Sequence, residues 1–290
     1  MQKKKYIPRV SDVLGLALLL ATVLLFLFSG ITNLFGMSTW EIFVKFLLGL
    51  PVFFAPLFFV VLAYRYLHMS IPVLPKSLGY NESAMLTVSS LGFIVLIQVL
   101  YGSLFPSTTP VVGIAETGSL FGFLLLFFTS VVIPAILEEL FFRGVILRTL
   151  TVYRALLAIL ISSVVYALMH FSLEAFPLVF FCGFLIGSVY YATGSLVAAV
   201  GVNLSAKAVW FLSETVGVYA SGQYPLFMRV LVASCVLLLA FGLPFLRKTV
   251  RTILADEDDA SVLPSSQFWG VPIVLFLVVS VLIQLLGGAL

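Results

Sequence analysis

Residues able to move a proton or hold a developing charge fall in three short stretches of an otherwise apolar chain. The first is Pro134-Ala-Ile-Leu-Glu138-Glu139-Leu-Phe-Phe-Arg143-Gly, two carboxylates and a guanidinium embedded among aliphatic and aromatic side chains. An ionised side chain near a bilayer centre costs about 2.5–3.5 kcal/mol on insertion scales, so such a cluster needs pairing, a wet cavity, or both. On a helix, Glu139 and Arg143 lie one turn apart on the same face, whereas Glu138 points well away from that pair. The spacing therefore assigns Glu139 to an ion pair with Arg143 and leaves Glu138 free to face a cavity as acid or base. Pro134 deprives the carbonyl one turn earlier of its helical donor, which favours a kink beside the cluster.

The second stretch, Tyr166-Ala-Leu-Met-His170, follows a turn near residue 152. Counted from that turn, Glu138 and His170 differ in depth by roughly 6 Å at 1.5 Å per residue, close enough for an antiparallel hairpin to bring them together. A carboxylate beside an imidazole, where water is restricted, is suited to deprotonating a water molecule and returning the proton to a leaving amine. The third stretch runs from Gly194-Ser195-Leu196 to Asn203 and Lys207, which share one helical face one turn apart. Their amide and ammonium are candidate donors to an oxyanion. The plainer reading is that Asn203 bonds a neighbouring helix while Lys207 snorkels outward.

The elements that must position these residues are membrane spans. Apolar runs bounded by charged, Gly or Pro residues place helices at 11–32, 42–64, 84–104, 120–147, 155–171, 175–192, 195–213, 226–246 and 268–288. The expected fold is an all-α polytopic bundle of eight or nine transmembrane spans, with 1–290 as one membrane domain and 120–213 as its core. Connections are shortest between 155 and 213, where a merged or re-entrant segment would lower the count. With a cytoplasmic N-terminus, most of the fifteen Lys and Arg residues fall on inward loops, namely Lys3, Lys4, Lys5, Arg9, Arg65, Lys76, Arg148, Arg154, Arg247, Lys248 and Arg251. Only Arg229 falls outward, the bias expected of inward loops. Gly183 and Gly187 form a G-x-x-x-G pair suited to close helix packing.

Composition supports this reading and excludes others. Hydrophobic residues make up 62% of the chain and charged residues 9%, with mean hydropathy +1.22, against about 45–50% and 25% in soluble domains. A net charge of +3 without a basic patch argues against nucleic acid as a partner. The first apolar run is long and lacks a small-residue cleavage pattern, so it reads as a retained span. Cys182 and Cys235 lie in apolar stretches and read as small buried hydrophobes. His68 beside Arg65 and the acidic stretch from Asp256 to Ser266 read as solvated loop positions, and Glu116, Glu174 and Glu214, at or near outward ends, as interfacial carboxylates. Glu174 is a minor candidate partner for His170. No H-E-x-x-H pattern occurs, and no metal or other cofactor is expected, although two glutamates and a histidine form a set able to ligate one.

Together the three stretches resemble the CAAX-prenyl-endopeptidase and bacteriocin-processing (CPBP, or Abi) family of glutamic-type intramembrane proteases, over roughly residues 120 to 213. The resemblance rests on Glu138-Glu139-x-x-x-Arg143, Tyr166-x-x-x-His170 and the Gly194-Ser195-Leu196 lead-in. It implies an intramembrane endopeptidase in which Glu138 and His170 activate water, supported by Glu139 and Arg143; the residues themselves add Asn203 as the donor that steadies the oxyanion. It also implies a peptide or protein substrate reaching the bilayer, without a cofactor. Two positions depart from the family's pattern. Tyr166 stands where phenylalanine is usual, and Asn203-x-x-x-Lys207 stands where His-x-x-x-Asn is usual. An amide donates but cannot shuttle protons, and an ammonium there tends to pair with Glu138 and disable it as a base. Two alternatives stay open: a binding or immunity protein on the same scaffold, and an ion-coupled transporter. A bacterial inner membrane is the default expectation. Oligomeric state is not encoded in any motif.

Overall fold

The computed structural model describes residues 3–32, 39–67, 74, 78–105, 119–255 and 268–287. His68, Glu116 and the acidic stretch from Asp256 to Ser266 lie outside the described residues. The described residues form an all-α bundle: α1 (Lys3–Thr32), α2 (Thr39–Tyr66), α3 (Tyr80–Leu104), α4 (Leu120–Leu150), α5 (Ala155–Leu168), α6 (Phe176–Thr193), α7 (Leu196–Tyr219), α8 (Tyr224–Ala255) and α9 (Val271–Gly287). Seven of these, α1–α4 and α6–α8, are long and apolar enough to cross a membrane, and α5 and α9 are shorter apolar helices. The chain is thus a polytopic membrane helix bundle. Phe26, Phe58, Phe121, Leu237 and Phe241 project outward from it, the apolar exterior that lipid requires.

Each expected span coincides with one helix, but α5 ends at Leu168, short of residue 171. Its 14 residues cover about 21 Å, less than a hydrocarbon core of about 30 Å. Every carbonyl at this early stop is accounted for. Val165 O accepts from Met169 N (3.1 Å), Ala167 O from His170 N (3.2 Å) and Leu168 O from Phe171 N (3.2 Å). Gln284 of α9 also donates to Leu168 O (3.0 Å), and Tyr166 O is met by His170 Nδ1 (2.8 Å). Phe171 then leaves the helix at φ 47°, a left-handed conformation that a bulky residue adopts only under local constraint.

The helix α4 alternates in winding. Leu120–Phe127 and Ile133–Phe141 are α-helical, whereas Phe128–Val132 and Phe142–Leu147 are π-helical. The first π segment precedes Pro134, which cannot donate to the preceding turn. Ser162 of α5 donates to Phe142 O at the start of the second (3.2 Å). Such wide turns frequently mark functional positions, and here they bracket Glu138 and Glu139.

Among the described residues packing forms three apolar clusters: a small one joins Ile42, Leu126, Val131 and Phe211, and the two larger ones both draw on α4 and α5. One gathers α1, α2 and α9 around Phe141, Phe142, Tyr166 and Phe276. The other gathers α3, α6, α7 and α8 around Leu147, Ile159, Ile186 and Val202. Small residues set the closest approaches. A methyl group on Gly242 of α8 would collide with Ser89 of α3, and one on Gly92 of α3 would lie 3.0 Å from Cys235 O. Without a hydrophobic drive between helices in lipid, close van der Waals contact of this kind is what holds them. Cys182 and Cys235 are free and buried.

Candidate functional site

The site is assembled from four helices whose ends fix its depth. Gly194 closes α6 at φ 62°, the left-handed capping conformation that glycine adopts without strain. Ser195 then caps α7, its Oγ accepting from Ala198 N (3.2 Å). This tight hairpin carries Asn203 two turns and Lys207 three turns into the bundle, on the face that meets α4. The turn at Thr151–Arg154 returns α5 against α4 in the same way, so that Tyr166 comes level with Glu138.

Three donors converge on Glu138. Tyr166 Oη donates to Oε2 (3.1 Å), Asn203 Nδ2 donates to Oε2 (3.1 Å), and Lys207 Nζ donates to Oε1 (2.8 Å). Glu138 is therefore not the free carboxylate that helical angles imply. Nor is it separated from its neighbour, because Asn203 Nδ2 also reaches Glu139 Oε1 (2.8 Å) and joins the two carboxylates. Angular bookkeeping misses this because α7 inserts an amide between side chains that the α4 helix alone would splay apart. Lys207, one quarter exposed, turns inward to Glu138 instead of snorkelling away.

The Glu139 to Arg143 pair forms at 3.0 Å with both side chains buried, as the spacing indicates. Arg143 Nη2 also donates to Gly183 O (3.0 Å), and its guanidinium lies 4.6 Å from the centre of the Tyr166 ring. Gly183 is small for the same reason: a methyl group there would stand 2.9 Å from Tyr166 Cδ1. Glu139 Oε2 and Arg143 Nε are buried without a hydrogen-bond partner, so the network is incompletely satisfied, a costly state that soluble cores rarely carry.

His170 sits one turn beyond Tyr166, with an exposed side chain. Its ring packs edge-on against Tyr166 (centroids 4.7 Å apart), and among the described residues it makes no direct hydrogen bond to Glu138. Contact at Tyr166 O fixes Nδ1 as the protonated nitrogen of the neutral ring, leaving Nε2 as the acceptor. Glu174 does not reach His170: the side chain is exposed, and its backbone carbonyl accepts from Tyr101 Oη. Among the described residues no three His, Cys, Asp or Glu side chains group as metal ligands.

Of the expected site residues, Glu138, Glu139, Arg143 and Asn203 are thus joined in one hydrogen-bonded network, and His170 adjoins it through Tyr166. Two members of the network, Tyr166 and Gly183, carried only packing or motif significance in the sequence. The hydroxyl that Tyr166 carries one turn before His170, where the resemblance expects phenylalanine, is the signal by which the first could have been found.

Comparison with known proteins agrees with part of this picture. Residues 119–209 match the family model described as type II CAAX prenyl endopeptidase Rce1-like, a fragment of the chain that contains every member of the network. No curated protein and no solved structure matches the chain.

Proposed function

We propose that this chain is an intramembrane endopeptidase of the glutamic type, with residues 120–213 as its catalytic core. The observation that carries the proposal is the convergence of Tyr166, Asn203 and Lys207 on the buried Glu138, beside a histidine whose Nε2 is left as an acceptor. In this reading water is held between Glu138 and His170 Nε2. Its oxygen attacks the scissile carbonyl, and Glu138 takes its proton. Asn203 Nδ2, whose two N–H groups both rest on carboxylates, gives up its bond to Glu138 and steadies the oxyanion. As the C–N bond breaks, the proton passes to the leaving amine. The Glu139 to Arg143 pair holds α4 in register and touches no reacting atom. The substrate is a peptide or protein segment that reaches the bilayer.

A specific feature favours a second reading. A carboxylate has about four acceptor positions, and Glu138 uses one on Oε1 and two on Oε2. The one that remains lies on the oxygen already paired with Lys207, which weakens the base. A binding protein on a protease scaffold would look the same at rest.

Wild type, Glu138→Gln and Asn203→His, each in liposomes with a mixed peptide library read by mass spectrometry, separate the two. Wild-type products that vanish in Glu138→Gln are expected. Products only from Asn203→His would favour the binding reading, and products from none would overturn the hydrolase.

A further inference from the structure

Water activation and oxyanion support leave Lys207 without a positive role, yet it is the residue most closely bound to Glu138. Of the two guanidinium or ammonium groups in the network, Arg143 is fully buried and committed to Glu139 and to Gly183 O. Lys207 is the opposite case: its side chain is 25% exposed, and its ammonium has one carboxylate partner, Glu138 Oε1, at 2.8 Å. It also rides on a flexible stem one turn along α7 from Asn203. We propose that Lys207 is the docking point for a carboxylate on the substrate, and that its transfer from Glu138 to that carboxylate frees the base. This inference rests on the hydrolase reading.

The physical case is one of exchange. Removing an ammonium from a buried carboxylate without replacement strands both charges in a medium of low dielectric, which is strongly unfavourable. Handing the ammonium to a second carboxylate keeps an ion pair and leaves only Glu138 to be satisfied by Tyr166, Asn203 and water. A neutral peptide offers no exchange and leaves Glu138 locked. Recognition and activation are therefore the same event, and the resting ion pair guards the site against indiscriminate hydrolysis. The carboxylate comes from a chain terminus or from an acidic side chain. Both present the same group to Lys207.

The test uses one peptide sequence with uncharged side chains, in three forms: free C-terminus, C-terminal amide, and amide with one added glutamate near the middle of the sequence. Wild-type protein should cleave at least one carboxylate form with kcat/KM about tenfold or more above the plain amide. Lys207→Met should erase the difference, and Lys207→Arg should keep it. Preference for the free terminus identifies a chain end as the source, and preference for the glutamate form identifies a side chain. Binding supplies a readout independent of turnover. In Glu138→Gln, Lys207 has no charged competitor, so the carboxylate peptide should bind about tenfold tighter than to wild type, with the amide unchanged. Equal gains for both forms, or a preference that survives Lys207→Met, would overturn the inference. Absence of cleavage in every variant would defeat the hydrolase alone, because the binding comparison still decides the role of Lys207.

Discussion

Tyr166 Oη donates to Glu138 Oε2 at 3.1 Å across the α4–α5 interface, while the same ring rests on Arg143 and turns its edge to His170. One side chain thus ties the carboxylate, the ion pair and the imidazole to a common frame. Tyr166→Phe keeps the ring and deletes the donor. A hydrogen bond to a charged group is worth about 1.5–3 kcal/mol, so thermal unfolding should report a loss near the lower end of that range. With one donor fewer, Glu138 is the stronger base, and cleavage should be retained or raised. A loss beyond tenfold would show that the hydroxyl itself takes part.

Breaking the ion pair should be far more damaging than removing it. Arg143→Met strands a buried carboxylate and takes a donor from Gly183 O. The expected destabilisation is about 3–5 kcal/mol. Glu139→Leu combined with Arg143→Met restores apolar packing and should recover most of that loss. Denaturant or thermal unfolding in detergent measures both, and a double variant no better than the single would contradict the assignment of this pair as structural.

Glycine positions give a matched test of packing. Gly183→Ala places a methyl group 2.9 Å from Tyr166 Cδ1 and 3.4 Å from Ser163 Cα, which should turn the ring and cost about 1–3 kcal/mol. Gly201→Ala, two residues before Asn203, meets nothing within 4 Å and should be neutral or stabilising by up to about 1 kcal/mol from helix propensity. Similar melting temperatures for the two variants would contradict the packing described for α6.

His170 should be separable from the fold. Its side chain is exposed and its main contacts are with Tyr166, so His170→Ala should unfold within a few degrees of wild type. Cleavage should fall by about 10²–10⁴, the usual contribution of a general acid or base. Retained cleavage would remove the imidazole from the chemistry.

Much of this arrangement is legible in the sequence because it is local. Apolar runs mark all nine helices of the described residues, i to i+4 spacing gives the Glu139 to Arg143 pair, and one-turn spacing puts Asn203 and Lys207 on a shared face. Gly194-Ser195 announces the turn that sets their depth. What is not legible depends on distant partners. The three donors on Glu138 come from residues 28, 65 and 69 positions away, and the end of α5 relies on Gln284, 116 residues further along the chain. The π segments have only Pro134 as a local marker, so the geometry that draws Glu138 and Glu139 to a common amide has no periodic signature. The hairpin estimate set His170 one turn deeper than Glu138, and the structure fills the vacant level with Tyr166.

In the proposed reaction, water activated by Glu138 attacks a peptide carbonyl. Cleavage in ¹⁸O-enriched water, followed by mass spectrometry of the products, reads the origin of the attacking oxygen. The expected result is one heavy oxygen in each newly formed carboxylate with the wild type and no product with Glu138→Gln. Labelled product formed at an undiminished rate by Glu138→Gln would contradict this reaction.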